Sequence, residues 1–348
     1  MSDMAQIDRN FAVKSELGKD DIRFYSVEEE PFRVHGLFKA DGQYRRIPRE
    51  VAAEVSKGVL LLHMRTSGGR VRFRTDSAYI AIKAMVHVVT RTPVMTHVGS
   101  NGFDLYVDGA FVEPFVPPMD LAEQYESVID LPGNKEREIT IHFPLYAGVK
   151  ELYIGLEEGA CVKEATPYEG DAPIVYYGSS ITQGGCASRP GMSYQNILAR
   201  RLNRDFWCLG FSGNAMGEDV IARYIAGLDM SIFVYDYDNN APTVEHLRNT
   251  HEKMFRTVRQ AQPDLPILIL PRPRYSLTEE EWERQRVIRQ TYENALAAGD
   301  KNVYFVDSQT LMALCKEDGL VDDGHPTDFG FASMAKAIGD ALEQIINK

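Results

Sequence analysis

The chain changes character at Ile174-Val175-Tyr176-Tyr177-Gly178-Ser179-Ser180, where a short apolar run ends in a turn of small residues. The turn continues to Gly185, and a helical pattern begins near Tyr194. A short apolar strand that feeds a helix in this way is typical of a parallel sheet, and the loop between them lies at the carboxyl edge of the sheet. We therefore expect Ser179 and Ser180 at that edge.

The alternation of strand and helix continues from this stretch to the end of the chain. Five strand–helix pairs in series predict an open parallel sheet with helices on both faces. The predicted pairs are Ile174–Tyr177 with Tyr194–Leu202, Phe206–Gly210 with Glu218–Leu228, Ser231–Tyr235 with Val244–Gln260, Pro266–Leu270 with Thr278–Ala298, and Val303–Val306 with Phe331–Ile346.

Upstream of about residue 168 the sequence has the pattern of β structure alone. Short alternating runs, rich in β-branched and aromatic residues, are separated by turn signals such as Ser67-Gly68-Gly69 and Asp108-Gly109. Many short strands with such turns predict an all-β sandwich or jelly roll. The predicted strands are Val59–His63, Val71–Thr75, Tyr79–Val86, Phe103–Val107, Glu138–Phe143 and Leu152–Leu156, with at most a helical turn near residues 49–57.

Proline, glycine and charged residues cluster at Glu164–Asp171, between the two patterns. This cluster predicts a boundary between a β-sandwich accessory domain over residues 1–168 and an α/β domain over residues 169–348. No Gly/Ser-rich or Pro-rich spacer separates the two, so we expect them to pack tightly against each other.

The composition narrows the classes of function. The 348 residues carry a net charge of −12, which on average repels nucleic acid and anionic membranes. No apolar run is long enough to span a membrane, and the first residues lack a signal-peptide pattern, so we expect a cytoplasmic protein. The cysteines have no CxxC spacing, which favours free thiols over a zinc or redox site; they are Cys161, Cys186, Cys208 and Cys315.

Residues suited to acyl-transfer chemistry follow the predicted strands. Ser180 follows the first strand, and Asp322-Asp323-Gly324-His325 comes after the last. The short spacing lets a carboxylate approach the imidazole. A histidine oriented by a carboxylate is the base that activates a serine nucleophile. The sequence therefore predicts a hydrolase that works through an acyl-enzyme.

The order of these motifs resembles the SGNH, or GDSL-type, hydrolase superfamily over about residues 170–346. Gly178-Ser179-Ser180 is similar to its Gly-Asp-Ser block, with Ser179 in place of the aspartate. Ser212-Gly213-Asn214 is similar to its second block, and Asp322-x-x-His325 to its last. The resemblance implies a flavodoxin-like domain of five parallel strands.

The resemblance also implies roles for individual residues. The catalytic residues would be Ser180, His325 and Asp322, and no metal or organic cofactor would be required. The oxyanion hole would be formed by the backbone of Ser180, the backbone of Gly213 and the side chain of Asn240. Three arginines near the expected site are candidates for substrate binding: Arg189, Arg272 and Arg274.

Several of these assignments have competitors in the sequence. Asn239 competes with Asn240, Asp323 with Asp322, and the thiol of Cys186 with Ser180. Asp236 and Asp238 could join Asp322 and Asp323 in a cluster for a hard metal ion. The glycines at 184 and 185 could cradle a phosphate, although neither GxGxxG nor Gly-Lys-Ser/Thr is present.

The β-rich first half is similar to that of a bacterial branch of the superfamily, in which a β-sandwich precedes the hydrolase domain. Related two-domain esterases often remove acetyl groups from plant polysaccharides or their oligosaccharides. The resemblance thus implies a serine acetylesterase whose partner is an oligosaccharide or small-molecule ester. A lipid or thioester acyl hydrolase and an inactive carbohydrate-binding protein remain alternatives, and a homo-oligomer is left open.

Overall fold

The computed structural model describes residues 17–348, so the amino-terminal residues examined for a signal peptide lie outside the described part. The first half of the described chain consists mainly of antiparallel strands. In chain order they are β1 (Ile22–Ser26), β2 (Arg33–His35), β3 (Phe38–Ala40), β4 (Gln43–Arg45), β5 (Arg70–Thr75), β6 (Tyr79–Val88), β7 (Phe103–Val107), β8 (Ala110–Phe115), β9 (Gln124–Asp130), β10 (Arg137–His142), β11 (Gly148–Glu157) and β12 (Val162–Lys163).

These strands form two main sheets that share one core. One sheet has the order β1-β11-β6-β9, and the other has the order β12-β5-β10-β7-β8, with β2 paired to β5. Phe73 and Ile141 of the second sheet lie in the same buried cluster as Ile82 and Ile154 of the first. Alternate side chains of both sheets therefore meet in one interior, as the period-2 pattern of the sequence predicts.

The predicted strand at Val59–His63 is wrong, because this segment is helical. From residue 17 onward, the first half contains three short helices, α1 (Arg49–Val55), α2 (Lys57–Leu62) and α3 (His97–Asn101). The hydroxyl of Ser56 caps α2 by accepting a hydrogen bond from the backbone N–H of Val59 at 3.0 Å. A short apolar run fits a buried helix as well as a strand. Here Val59 packs into the core of the α/β half.

The second half has the predicted alternation of strand and helix. Its five strands are parallel and have the order β14-β13-β15-β16-β17, which is the flavodoxin-like order. The elements are β13 (Ile174–Gly178), α4 (Ser180–Gln183), α5 (Tyr194–Leu202), β14 (Phe206–Gly210), α6 (Asp219–Ala226), β15 (Ile232–Asp236), α7 (Val244–Ala261), β16 (Ile267–Ile269), α8 (Glu279–Ala297), β17 (Val303–Phe305), α9 (Ser308–Leu311) and α10 (Asp328–Ile346). Within residues 17–348, no helix is both long and apolar enough to cross a membrane.

The central strand β13 brings three loops together. Val175 and Tyr177 face one layer of the core, while Ile174 and Tyr176 face the other. Gly178, the last residue of β13, is paired with Gly210 of β14 and with Asp236 of β15. The three strands therefore end side by side, and the loops that follow them start from one place.

The two halves are joined by the buried guanidinium of Arg46. From the first half, it donates hydrogen bonds to the carbonyl oxygens of Cys208 at 3.1 Å and Gly210 at 2.5 Å, both in β14. It also donates to the carbonyl oxygens of Arg65 and Leu62 in its own half. These contacts agree with the expectation that the two halves pack tightly against each other.

Candidate active site

The turn after β13 holds Ser180 at the start of α4. The hydroxyl of Ser179 accepts a hydrogen bond from the backbone N–H of Ile181 at 3.1 Å, so it caps this short helix. A Cβ added to Gly178 would lie 2.1 Å from Oγ1 of Thr182. The turn thus passes so close to the strand end that only glycine fits there. With Ser179 in place of the expected aspartate, the turn remains capped.

Ser180, His325 and Asp322 form a continuous chain of hydrogen bonds. Oγ of Ser180 lies 2.9 Å from Nε2 of His325, and Nδ1 of His325 lies 2.8 Å from Oδ2 of Asp322. A carboxylate can only accept, so Nδ1 of the imidazole carries the proton. Nε2 is left to accept the hydroxyl proton of Ser180. This geometry is the one a serine nucleophile and its base require.

The carboxylate of Asp322 is held in place by the loop that carries it. Burial works against its charged form, but the backbone N–H groups of His325 and Gly324 donate to Oδ1 at 2.8 and 2.9 Å. Together with the imidazole, these donors keep the pKa of Asp322 below its ordinary value. Asp322 is therefore ionised at neutral pH and can stabilise a protonated His325.

The competing residues have other surroundings. Asp323 is fully exposed, and it accepts a hydrogen bond from Nη2 of Arg274 at 2.5 Å. Burial, followed by the nearby charge of Asp322, raises the pKa of the Cys186 thiol to about 11. A thiol with this pKa is protonated at neutral pH and is a poor nucleophile. The geometry thus favours Asp322 over Asp323 and Ser180 over Cys186.

The three candidate oxyanion donors lie on connected loops. The N–H of Ser180 is in the first turn of α4, where backbone N–H groups have no partner within the helix. Gly213 has a φ of +69°, and apart from its chain neighbours no described residue comes within 4 Å of where its Cβ would be. Oδ1 of Asn240 accepts from the backbone N–H of Ala215 at 3.2 Å, so its NH₂ group remains available as a donor. Nδ2 of Asn239 is buried and has no hydrogen-bond partner among residues 17–348, so Asn239 stays an alternative donor.

Gln183 connects the nucleophile turn to the second loop, a role that no sequence motif indicates. Its Oε1 accepts from the backbone N–H of Ser212 at 3.0 Å, next to Gly213. Its Nε2 donates to the carbonyl oxygen of Leu145, in the first half of the chain, at 3.2 Å. The only sequence signal was its place inside the turn, which does not reveal these tertiary partners.

The two aspartates that were candidate metal ligands at this edge, Asp236 and Asp238, are bound by hydroxyl and guanidinium groups of other side chains. Oδ2 of Asp236 accepts from the hydroxyls of Thr182 and Tyr194 at 2.7 and 3.0 Å. Asp238 is bound by the guanidinium groups of Arg272 and Arg284. Among residues 17–348 no group of three or more His, Cys, Asp or Glu side chains is placed to hold a metal ion. The residues at this edge do not fit a metal site.

The three candidate substrate-binding arginines all take part in internal ion pairs. Nη1 of Arg189 lies 3.0 Å from Oδ2 of Asp104, in the first half of the chain. Arg272 and Arg274 both reach Oε1 of Glu281, each at 3.3 Å. These contacts account for the arginines without a substrate, and their role in substrate binding stays a prediction.

Comparisons with known proteins cover both halves of the chain. Residues 171–346 match the sequence model of the GDSL-like lipase/acylhydrolase family, and residues 22–162 match that of the N-terminus of SGNH-hydrolase-type esterases. No curated protein matches the chain.

Solved structures resemble the chain over nearly its full length. A Bacteroides ovatus protein described as a GDSL-like lipase is 30% identical, with a TM-score of 0.83 over 94% of this chain and 98% of that one. A salicylyl-acyltransferase from a tetracycline biosynthetic pathway is 20% identical, with a TM-score of 0.76 over 94% and 99% of the two chains. An acetyl xylan esterase from the rumen bacterium Butyrivibrio proteoclasticus is 14% identical, with a TM-score of 0.65 over 94% and 99%.

Proposed function

The chain belongs to the GDSL-like lipase/acylhydrolase family and is an esterase, and from this premise we propose that it removes acetyl groups from the hydroxyls of a carbohydrate. The observation that carries the proposal is the hydrogen-bonded chain from Ser180 through His325 to Asp322. The acetyl xylan esterase with the same two-part fold supports the choice of acyl group and substrate.

In the first half of the proposed reaction, Oγ of Ser180 attacks the ester carbonyl while Nε2 of His325 takes its proton. Asp322 stabilises the imidazolium that forms. The developing oxyanion accepts hydrogen bonds from the backbone N–H groups of Ser180 and Gly213 and from Nδ2 of Asn240. His325 then gives its proton to the leaving alcohol oxygen, and the acetyl group remains on Ser180.

In the second half, water hydrolyses the acetyl-enzyme. His325 takes a proton from the water, whose oxygen attacks the acetyl carbonyl, and the same three donors stabilise the second oxyanion. Acetate leaves as the proton returns to Oγ of Ser180. Ester and water thus give acid and alcohol without any oxidant, reductant or metal ion.

A series of nitrophenyl esters from acetyl to dodecanoyl tests the proposal, with Ser180→Ala as the matched control. We expect the acetyl ester to be cleaved fastest and all turnover to vanish in the variant. Faster cleavage of long acyl chains would favour a lipid or thioester acyl hydrolase. Acetate release from acetylated xylo- and manno-oligosaccharides then tests the carbohydrate.

A fluorophosphonate probe separates an enzyme from a binding protein that has lost activity. The probe reacts only with an activated serine, so we expect it to label the wild type and to leave Ser180→Ala unlabelled. A wild type that stays unlabelled and cleaves none of the esters would support the inactive carbohydrate-binding alternative.

A further inference from the structure

A buried carboxylate lies two residues before Asn240. The side chain of Asp238 is 1% exposed, and donors from two other segments bind both of its oxygens. Nε of Arg284, in α8, donates to Oδ1 at 2.8 Å. Arg272, which follows β16, donates from its backbone N–H and from Nε to Oδ2, both at 3.0 Å, and from Nη2 to Oδ1 at 3.1 Å. Asp238 therefore ties its loop to α8 and to the loop after β16.

The same guanidinium of Arg284 also holds the backbone on both sides of Asn240. Its Nη2 donates to the carbonyl oxygen of Asp238 at 2.9 Å and to that of Ala241 at 2.7 Å. The N–H of Ala241 donates back to the carbonyl oxygen of Asp238 at 3.0 Å, which closes the turn. One planar group thus fixes both ends of the four-residue turn 238–241. A lysine ammonium lacks this fork of donors and cannot reach all three acceptors in the same geometry.

The carboxylate of Asp238 and the guanidinium of Arg284 form an ion pair in the interior. Burial alone would favour the neutral acid, but Arg272 and Arg284 keep the pKa of Asp238 below its ordinary value. Asp238 therefore stays ionised, and Arg284 has an opposite charge in the interior. A buried pair of this kind is costly to break, since the remaining charge is left without a partner.

We propose that Arg284 is a positioning residue for the oxyanion hole. Through the turn 238–241 it fixes Nδ2 of Asn240 at the point where the oxyanion develops. Donors of this type work because they are in place before the charge forms. The inference deepens the proposed function and rests on it, because it takes Asn240 as an oxyanion donor.

Arg284→Lys should affect kcat and KM differently. A displaced oxyanion donor weakens binding of the transition state and leaves substrate binding unchanged. We therefore expect kcat for nitrophenyl acetate to fall by about 10-fold or more, but by no more than the roughly 10²–10³-fold loss that follows removal of a whole donor. KM should change little.

A double-mutant cycle tests whether this effect passes through Asn240. The four proteins are the wild type, Arg284→Lys, Asn240→Ala and the double variant. We expect Arg284→Lys to lower kcat in the wild type and to change it little in the Asn240→Ala background. An equal loss of kcat in both backgrounds would overturn the inference. Unchanged kcat in Asn240→Ala alone would instead contradict the oxyanion role in the proposed function.

Arg259→Lys is the matched control for lost stability. Arg259 is also largely buried, pairs with Asp300 at 2.7 Å and donates to the carbonyl oxygen of Leu265, but it lies near the start of β16, away from the site. The Arg259→Lys substitution should lower the melting temperature and leave kcat unchanged. If Arg284→Lys does not fold, Asp238→Asn replaces it in the cycle, because it removes the negative charge that pairs with Arg284 at the start of the same turn. A loss of kcat that depends on Asn240 would then support the inference, and an equal loss in both backgrounds would overturn it.

Discussion

The hydroxyl of Thr182 donates a hydrogen bond to Oδ2 of Asp236 at 2.7 Å, directly beneath the turn that begins with Ser180. Asp236 is buried, and its other carboxyl oxygen has no hydrogen-bond partner among residues 17–348. Burial raises the pKa of this carboxyl to about 7. An acid therefore lies under the proposed nucleophile and changes its charge near neutral pH.

This shift predicts that Asp236 weakens the fold as the pH rises. Its folded-state pKa lies above its unfolded value, so its stabilising effect is complete below about pH 4 and is lost as the pH rises to about 7. The total change is on the order of 4 kcal/mol. We expect Asp236→Asn to be more stable than the wild type at pH 8, with the difference shrinking toward pH 5. Urea unfolding at both pH values measures this, and parallel pH dependences would contradict it.

Asp322→Asn should lower kcat by about three to four orders of magnitude, because an amide facing Nδ1 favours the wrong tautomer of His325. Asp323→Asn is the matched control. It removes one exposed ion pair with Arg274 and should leave kcat within a factor of about two. Steady-state kinetics with nitrophenyl acetate compares the two. A larger loss in Asp323→Asn would assign the orienting role to Asp323.

Thiol chemistry should not contribute to the activity. Because the pKa of Cys186 is raised to about 11, its thiolate is scarce at pH 8. We expect Cys186→Ala to retain most of the wild-type kcat and iodoacetamide at pH 8 to leave the wild type active. Rapid inactivation by iodoacetamide that is absent in Cys186→Ala would show that the thiol takes part.

Gly178→Ala should destabilise the fold, since the added methyl group would lie 2.1 Å from Oγ1 of Thr182 and 2.3 Å from the carbonyl oxygen of Asp236. Forced overpacking of this kind costs about 1–3 kcal/mol or more. Gly227→Ala is the control, because its nearest neighbour would be 3.6 Å away. Urea unfolding compares the two variants. Equal stabilities would mean that the nucleophile turn can move away from the strand.

Much of the second half could be predicted because its physical signals are local. The apolar runs and helix patterns gave all five strands, and Thr278-Glu279-Glu280-Glu281 is a capping box in the structure. The Ser180 turn and Asp322-x-x-His325 could also be recognised, because each is a short string of residues that needs no tertiary contact to be seen, and their catalytic role stays a prediction. The predicted helix bounds differ from the observed ones where a capping residue sets the start of the helix. For example, α10 was predicted from Phe331 but begins at Asp328, directly after its N-cap Thr327.

The remaining features depend on contacts between distant segments. Val59–Leu62 is apolar on all sides, so no periodicity distinguished helix from strand before the packing of α2 was known. The sequence suggested substrate contacts for Arg272 because it follows a strand end, yet its carboxylate partner is 34 residues away. Gln183 and Arg284 carry no motif at all. Their importance comes only from what the fold brings next to them.

Arg46 makes the boundary between the halves a poor place to divide this protein. Its guanidinium donates hydrogen bonds to the carbonyl oxygens of Cys208 and Gly210. Gly210 leads directly into the loop that carries Gly213. If the hydrolase half were expressed alone, these two carbonyl oxygens would lose the hydrogen bonds from Arg46. The amino-terminal half thus supports the strand that leads to the proposed oxyanion hole. The two halves should therefore be transferred and engineered together, as one unit.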